Sequence, residues 1–179
     1  MLLSAACNIR PAAAADLETL VDFNCRLAEE TEAKALDRHV LRAGVARVLQ
    51  DNQLGRYFVA ECAPLVPSPH GGTVAAPATV IAGQLMLTTE WSDWRNGLFW
   101  WIQSVYVLPE YRRRGVLRAL FEHVAALARH DPAVCGLRLY VERRNQQAQA
   151  AYERLGMRPA GYLVYEWARG PAASGPAGA

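Results

Sequence analysis

The chain lacks an excess of charge of either sign: Lys+Arg 19 against Asp+Glu 17 leaves a net +2 over 179 residues, too balanced for bulk attraction to nucleic acid or a membrane surface. Any anion site must therefore be local. Metal and disulfide signals are equally scarce. Cys7, Cys25, Cys62 and Cys135 lie far apart, with no CxxC pair and no His at a ligand spacing, so neither zinc, nor any other metal, nor a disulfide is expected. Long hydrophobic runs are absent too. The longest, Gly97 to Leu108, contains Gln103 and Ser104 and falls far short of the ~20 residues of a membrane span. The opening MLLSAAC places six residues before Cys7, too few for the charged start and apolar stretch of a signal peptide. The expected location is the cytoplasm.

What is present suits one ordinary core. With 52% hydrophobic and 9% aromatic residues, a single domain over residues 1–169 is expected. The uncharged tail 170–179 is expected to be disordered, and the Ala/Pro/Gly stretch from Ala63 to Ala78 mobile.

Helical and strand periods alternate along the chain, which predicts the α/β class, an α/β or mixed (α+β) sheet covered by helices. A short strand falls at Asn8 to Arg10. Leu17, Leu20, Val21, Asn24 and Leu27 mark one helix face; Val40, Leu41, Val45, Val48 and Leu49 mark a second, capped by Asp37. Tyr57 to Cys62, Thr79 to Thr89 and Leu98 to Leu108 read as three strands. In the third, strict alternation sets Phe99, Trp101, Gln103, Val105 and Val107 on one face and Trp100, Ile102, Ser104, Tyr106 and Leu108 on the other. A helix follows from near Gly115 to Pro132. Leu137, Leu139 and Val141 alternate as a further strand, Asn145 caps a helix ended by Gly156, and Tyr162 to Trp167 read as a last strand.

Two motifs carry chemistry. In VYVLPEYRRRGVLRAL, Arg112, Arg113, Arg114 and Arg118 cluster around Gly115 where a strand gives way to a helix. The unpaired N–H groups of a first helical turn carry partial positive charge, Gly115 offers no Cβ to an approaching ligand, and guanidinium forks suit phosphate oxygens. A bare arginine run is usually a solvated surface, but its placement between strand and helix favours a diphosphate site. Neither GxxxxGK[ST] nor GxGxxG is present. From Arg112 to Arg158 ten arginines face four acids, yet Tyr111 alone adjoins the run, so stacking aromatics of the kind an RNA-binding surface needs are missing. The second motif, YVERRNQQAQAAYERLGM, sets Asn145, Ala148, Tyr152 and Gly156 on one helix face.

Together the motifs resemble the GNAT superfamily of acetyl-CoA-dependent N-acetyltransferases, whose signature is a (Q/R)xxGx(G/A) loop followed by an Asn and an AxxxYxxxG helix. Arg112 and Gly115 fill the first two positions, while Leu117 stands where the family usually has Gly or Ala. The resemblance implies the family's acyl-CoA N-acyltransferase fold, a mixed, mostly antiparallel sheet flanked by helices whose central strands splay, so that acetyl-CoA, as cosubstrate, pairs its pantetheine arm with Val105, Tyr106 and Val107. Its pyrophosphate would sit on the amides from Arg113 through Gly115, Val116 and Leu117 to Arg118, Asn145 would bond the arm, and Tyr152 would lie near the thioester sulfur.

An amine of pKa about 10.4 is mostly protonated at pH 7, and freeing it costs about 4.6 kcal/mol, so a base or water chain must assist. Because acyl-CoA is already activated and no Cys or Ser stands out as a nucleophile with a neighbouring base, direct attack in a ternary complex is expected, with Tyr152 as acid. Glu90, in TTEWSDWRNG, is the candidate base. From Asp16 to Asp37 seven acids face two bases, and this region with Glu30 and Glu32 would attract a cationic acceptor, with Trp91 and Trp94 as a cation-binding wall. The expected partner is a small-molecule or protein amine, not a nucleic acid or a membrane. The alternative is a non-catalytic acyl-CoA-binding sensor or scaffold, which an intact Tyr152 disfavours. The acceptor's identity and the oligomeric state, a homodimer included, stay open.

Overall fold

The computed structural model describes residues 7–65, 79–167 and 169; the tail 170–179, and all of the Ala/Pro/Gly stretch but residues 63–65, lie outside them. The chain divides into two compact units, Met1–Glu142 and Arg143–Ala179. The larger contains strands β1 (Cys7–Pro11), β2 (Arg56–Cys62), β3 (Val80–Ser92), β4 (Gly97–Val107) and β5 (Val134–Leu139), with helices α1 (Leu17–Glu32), α2 (Arg38–Gln50) and α3 (Val116–His130). The smaller contains α4 (Gln146–Arg154).

The strands form one sheet in the order β1-β2-β3-β4-β5, antiparallel except for the parallel pair β4 and β5. The parallel step follows from α3, the crossover that a parallel connection requires. Alternation along β2 divides the core. Tyr57 and Val59 pack with Leu20 and Val21 of α1 and Val45 of α2, whereas Phe58 and Ala60 join Val116, Leu120 and Val124 of α3. The helices therefore cover opposite faces. Asp37 caps α2 as expected, accepting from the amides of His39 (2.8 Å) and Val40 (3.1 Å).

Strict alternation fails in β4. Met86 pairs with Ser104 but Leu87 with Ile102, so Gln103 is an extra residue, a β-bulge that inverts the side-chain order beyond it. Trp100 and Ile102 share a face with Val105 and Val107; Phe99 and Trp101 share the other with Ser104 and Tyr106. A bulge leaves no mark in a two-residue period, which is why alternation read from sequence misassigns the strand's second half.

Three further expectations are corrected. Cys7 and Cys62 form a disulfide, because antiparallel pairing puts them in register; with two helices between them in sequence, no spacing rule shows it. β5 starts at Val134 and ends at Leu139, leaving Val141 outside the ladder. Tyr162 to Trp167 form no strand. Tyr162, Tyr165 and Trp167 are 79%, 90% and 87% exposed, and an alternating segment becomes a strand only where a neighbouring strand satisfies its backbone.

A buried ion pair anchors the start of α1. Arg10 donates to both oxygens of Asp16 at 2.7 and 3.0 Å and also pairs with Glu61 at 2.9 Å. Asp16 is nearly buried and also accepts from the Ala13 amide at 2.7 Å. Hydrogen bonding from Arg10 outweighs burial and holds this carboxyl below its ordinary value. Asp16→Asn is expected to cost about 2 kcal/mol in denaturant unfolding, because it leaves Arg10 with one carboxylate in place of two. The sign with pH follows from the depressed value: the contribution is complete above the unfolded carboxyl pKa of about 3.9 and is lost as pH falls through the lower folded value. A gap between wild type and variant that persists at still lower pH would count against the ion pair as its cause.

Candidate active site

The site is built where β4 leaves the sheet. β5 pairs with β4 only from Leu98 to Ile102, so among the described residues the β5 side of β4 has no strand partner from Gln103 to Val107. Val105, Tyr106 and Val107 lie on this open edge. Beyond it, a short 3-10 turn over Pro109–Tyr111, anchored by buried Tyr111 whose hydroxyl donates to Ala63 O at 3.1 Å, carries the chain into the arginine run.

Two left-handed residues shape this loop: Arg113 at φ +62° and Gly115 at φ +90°. Gly115 adopts this conformation without the steric cost a side chain would bring, and it precedes α3 with no side-chain cap. The first amides of α3, from Val116 to Arg118, thus lack intrahelical acceptors and carry the helix's partial positive charge. Gly83 of β3 lets α3 start this close to the sheet. A Cβ there would meet Tyr106 O at 2.9 Å and a Val116 methyl at 3.2 Å. Leu117 is half-buried, while Arg113 and Arg118 are exposed.

Two of the four arginines are struts. Arg114 Nε donates to Glu110 O at 3.0 Å. Arg112 donates through Nε to Val107 O at 2.9 Å and through a terminal nitrogen to Glu30 at the end of α1, whose other oxygen accepts from the Tyr106 hydroxyl at 2.7 Å. The Val107 carbonyl, in the stretch expected to pair with the cofactor arm, therefore already accepts one hydrogen bond. Burial alone would raise the Glu30 carboxyl, but the bonds from Tyr106 and Arg112 prevail and hold it below its ordinary value. A carboxylate so stabilised takes up protons poorly. Burial, reinforced by Glu30, pushes the Tyr106 phenol up.

Other predicted site residues lie elsewhere. Glu32 is exposed at the end of α1. Glu90 is in register with Phe99, six residues of β4 from Val105 and roughly 20 Å along the strand. Its carboxylate accepts from Trp101 Nε1 at 2.6 Å and pairs with Arg138 at 2.7 Å. Trp91 and Trp94, 59% and 92% exposed, lie at the same remote turn. The fold thus brings Glu30 to the arginine loop but not Glu90, Trp91 or Trp94.

In the smaller unit Asn145 caps α4, its side-chain oxygen accepting from the Ala148 amide at 3.0 Å. Gly156, at φ +89°, ends the helix in a left-handed turn, with Met157 N bonded to Tyr152 O at 3.1 Å. Burial pushes the Tyr152 phenol above its ordinary value.

Sequence reading missed Gln84. It is fully buried in β3, opposite Tyr106, and neither its amide nitrogen nor its oxygen, nor the Ser104 hydroxyl, has a hydrogen-bond partner among the described residues. An unpaired buried amide costs roughly 1–3 kcal/mol. The available signal was one polar residue inside the apolar run VIAGQLML. Among the described residues no His/Cys/Asp/Glu group is arranged to hold a metal, and no helix is long and apolar enough to cross a membrane.

An open strand edge feeding an uncapped helix through a glycine-hinged basic loop is the architecture of an acyl-CoA-binding fold. The sequence model of the Acetyltransferase (GNAT) family matches residues 45–157, and the chain belongs to this family. A crystal structure from Clostridium difficile 630, described as "a possible acetyltransferase", shares 42% identity over 90% of this chain and 97% of its own, at a TM-score of 0.76. An aminoglycoside N-acetyltransferase solved in complex with CoA is similar at 15% identity, 92% and 96% coverage and a TM-score of 0.68. A ribosomal-protein-alanine N-acetyltransferase from Brucella melitensis biovar Abortus 2308 follows at 15% identity, 91% and 99% coverage and 0.64. At such identities the last two show the fold alone. No curated protein matches the chain.

Proposed function

We propose that the protein transfers an acetyl group from acetyl-CoA to a primary amine, of a small molecule or a protein, by direct attack in a ternary complex. The observation that carries this reading is the unpaired edge of β4 running into the uncapped start of α3 across Gly115. The edge offers backbone groups to an extended amide-bearing arm, and the helix start offers amides to a pyrophosphate. Arg113 and Arg118, exposed beside it, supply charge, while Arg112 and Arg114 hold the loop's shape. The likeness of the second motif to the family's signature supports Asn145 as a partner of the cofactor arm and Tyr152 as the acid at the departing thiolate. Glu90, tied to Trp101 and Arg138, orients those side chains and is not the proton acceptor. Glu30 is a positioning residue that joins α1 to the arginine loop.

Calorimetric titration with acetyl-CoA and with CoA tests the cofactor site without knowledge of the acceptor. Both should bind, and Gly115→Glu should reduce affinity at least about a hundredfold, since a side chain enters a left-handed position and a like charge faces the phosphates. Failure of folded wild-type protein to bind either compound would sink the reading. Binding without thiol release across a panel of primary amines would favour a sensor module.

A further inference from the structure

At the start of β2, away from the arginine loop, lies a recess of about 240 Å³, where α2 ends and β1 ends. Its walls are mixed, with Pro11, Val48, Leu49 and Leu127 on the apolar side and Asn52 and Arg56 among the polar side chains. Arg56 is half-buried. Its guanidinium carbon lies 4.2 Å from the centroid of the Trp100 ring, so the indole covers the cation's face and leaves its in-plane N–H groups to other partners.

Among the described residues Arg56 makes no ion pair and no side-chain hydrogen bond. Arg10, Arg38, Arg42, Arg112 and Arg138 each meet a carboxylate within 4 Å. Arg56 is more deeply set than the exposed members of that group, yet Asp131 acts on it only through its field, and burial pulls the guanidinium below its ordinary value. A half-buried cation with a covered face, donors without a partner among the described residues, and apolar side chains on one wall of the recess is suited to one class of guest.

We infer that this recess is a second binding site, separate from the acetyl-CoA site, for a small monocarboxylate carrying a short apolar tail. The carboxylate meets the Arg56 fork in two parallel N–H···O bonds, the Asn52 amide serves as a further donor, and the tail lies against Val48, Leu49 and Leu127. A volume of this size has room for a guest of few carbons, since each water in the liquid takes about 30 Å³. From Arg56 to Ala60, which pairs with Gly83 and through it with Val107, is four residues of strand, roughly 13 Å. A guest here therefore does not overlap the arginine loop.

The test uses the full-length protein saturated with CoA, titrated with butyrate and, in parallel, with the uncharged isostere butyramide, and followed by amide chemical-shift mapping. Butyrate should bind saturably with the largest shifts over residues 48–58, butyramide should not, and Arg56→Gln should weaken butyrate at least about tenfold. Leu49→Phe, which fills the recess without touching the cation, should weaken it as well and guards against misfolding of the Arg56 variant. Absence of saturable butyrate binding, shifts centred on residues 112–118, equal binding of butyramide, or undiminished affinity in both folded variants would each overturn the inference.

Discussion

Tyr152→Phe is expected to lower turnover about a hundredfold, some 2.7 kcal/mol in the barrier, while changing the affinity for acetyl-CoA little. The split follows from the role proposed for the hydroxyl. Collapse of the tetrahedral intermediate releases a thiolate, and a proton donor is needed only as that charge develops, so removing it should leave ground-state binding nearly intact. Burial raises the Tyr152 pKa above the ordinary tyrosine value, which keeps the donor protonated throughout the neutral range. Activity should therefore show no loss attributable to this group until the pH exceeds about 10, and the variant should lack that alkaline limb. Steady-state kinetics on the first accepted amine, with acetyl-CoA affinity measured separately, decides the matter. A variant as fast as wild type would remove Tyr152 from the chemistry.

The fold was legible wherever one local signal sufficed. Spacing of Leu17, Leu20, Val21 and Leu27, the Asp37 cap and the Asn145 cap each act within a single element, and those elements lie where the sequence puts them. Misreadings fall where an outcome depends on a partner distant in the chain. The bulge at Gln103 arises from the register against β3, the Cys7–Cys62 bond from the register of β1 against β2, and Tyr162 to Trp167 have the strand pattern but no paired strand among the described residues. The site divides in the same way. Arg112 and Gly115 are visible as a motif, because the loop and the helix start are contiguous. The contact of Arg112 with Glu30 spans 82 residues and changes the meaning of both: a predicted phosphate clamp becomes a strut, and a predicted acceptor carboxylate becomes its anchor.

That strut also ties α1 to the open edge. Tyr106, on the unpaired stretch of β4, and Arg112, in the loop, both end on one carboxylate of α1, so the helix is joined to both through hydrogen bonds as well as through packing. Gln84, opposite Tyr106 with its amide unpaired, lies on the same face.

Reduction of the Cys7–Cys62 disulfide should produce the largest change in stability. The bond closes a sequence separation of 55 residues, and constraint of an unfolded loop of that length is worth about 4 kcal/mol. The antiparallel register sets the two residues directly opposite each other, with their Cα atoms 4.2 Å apart. β1 is an edge strand joined to the sheet through β2 alone, so without the cross-link its attachment rests on ladder hydrogen bonds, the packing of Ile9, and the ion pairs of Arg10 with Asp16 and Glu61. Thermal unfolding in the presence of reductant, and of Cys7→Ser without it, should both show a midpoint lowered by roughly 10 °C. The two losses should not add, because reductant has nothing left to break in the variant. An unchanged midpoint in both would mean that the strand is held by its ladder and that the cross-link contributes nothing.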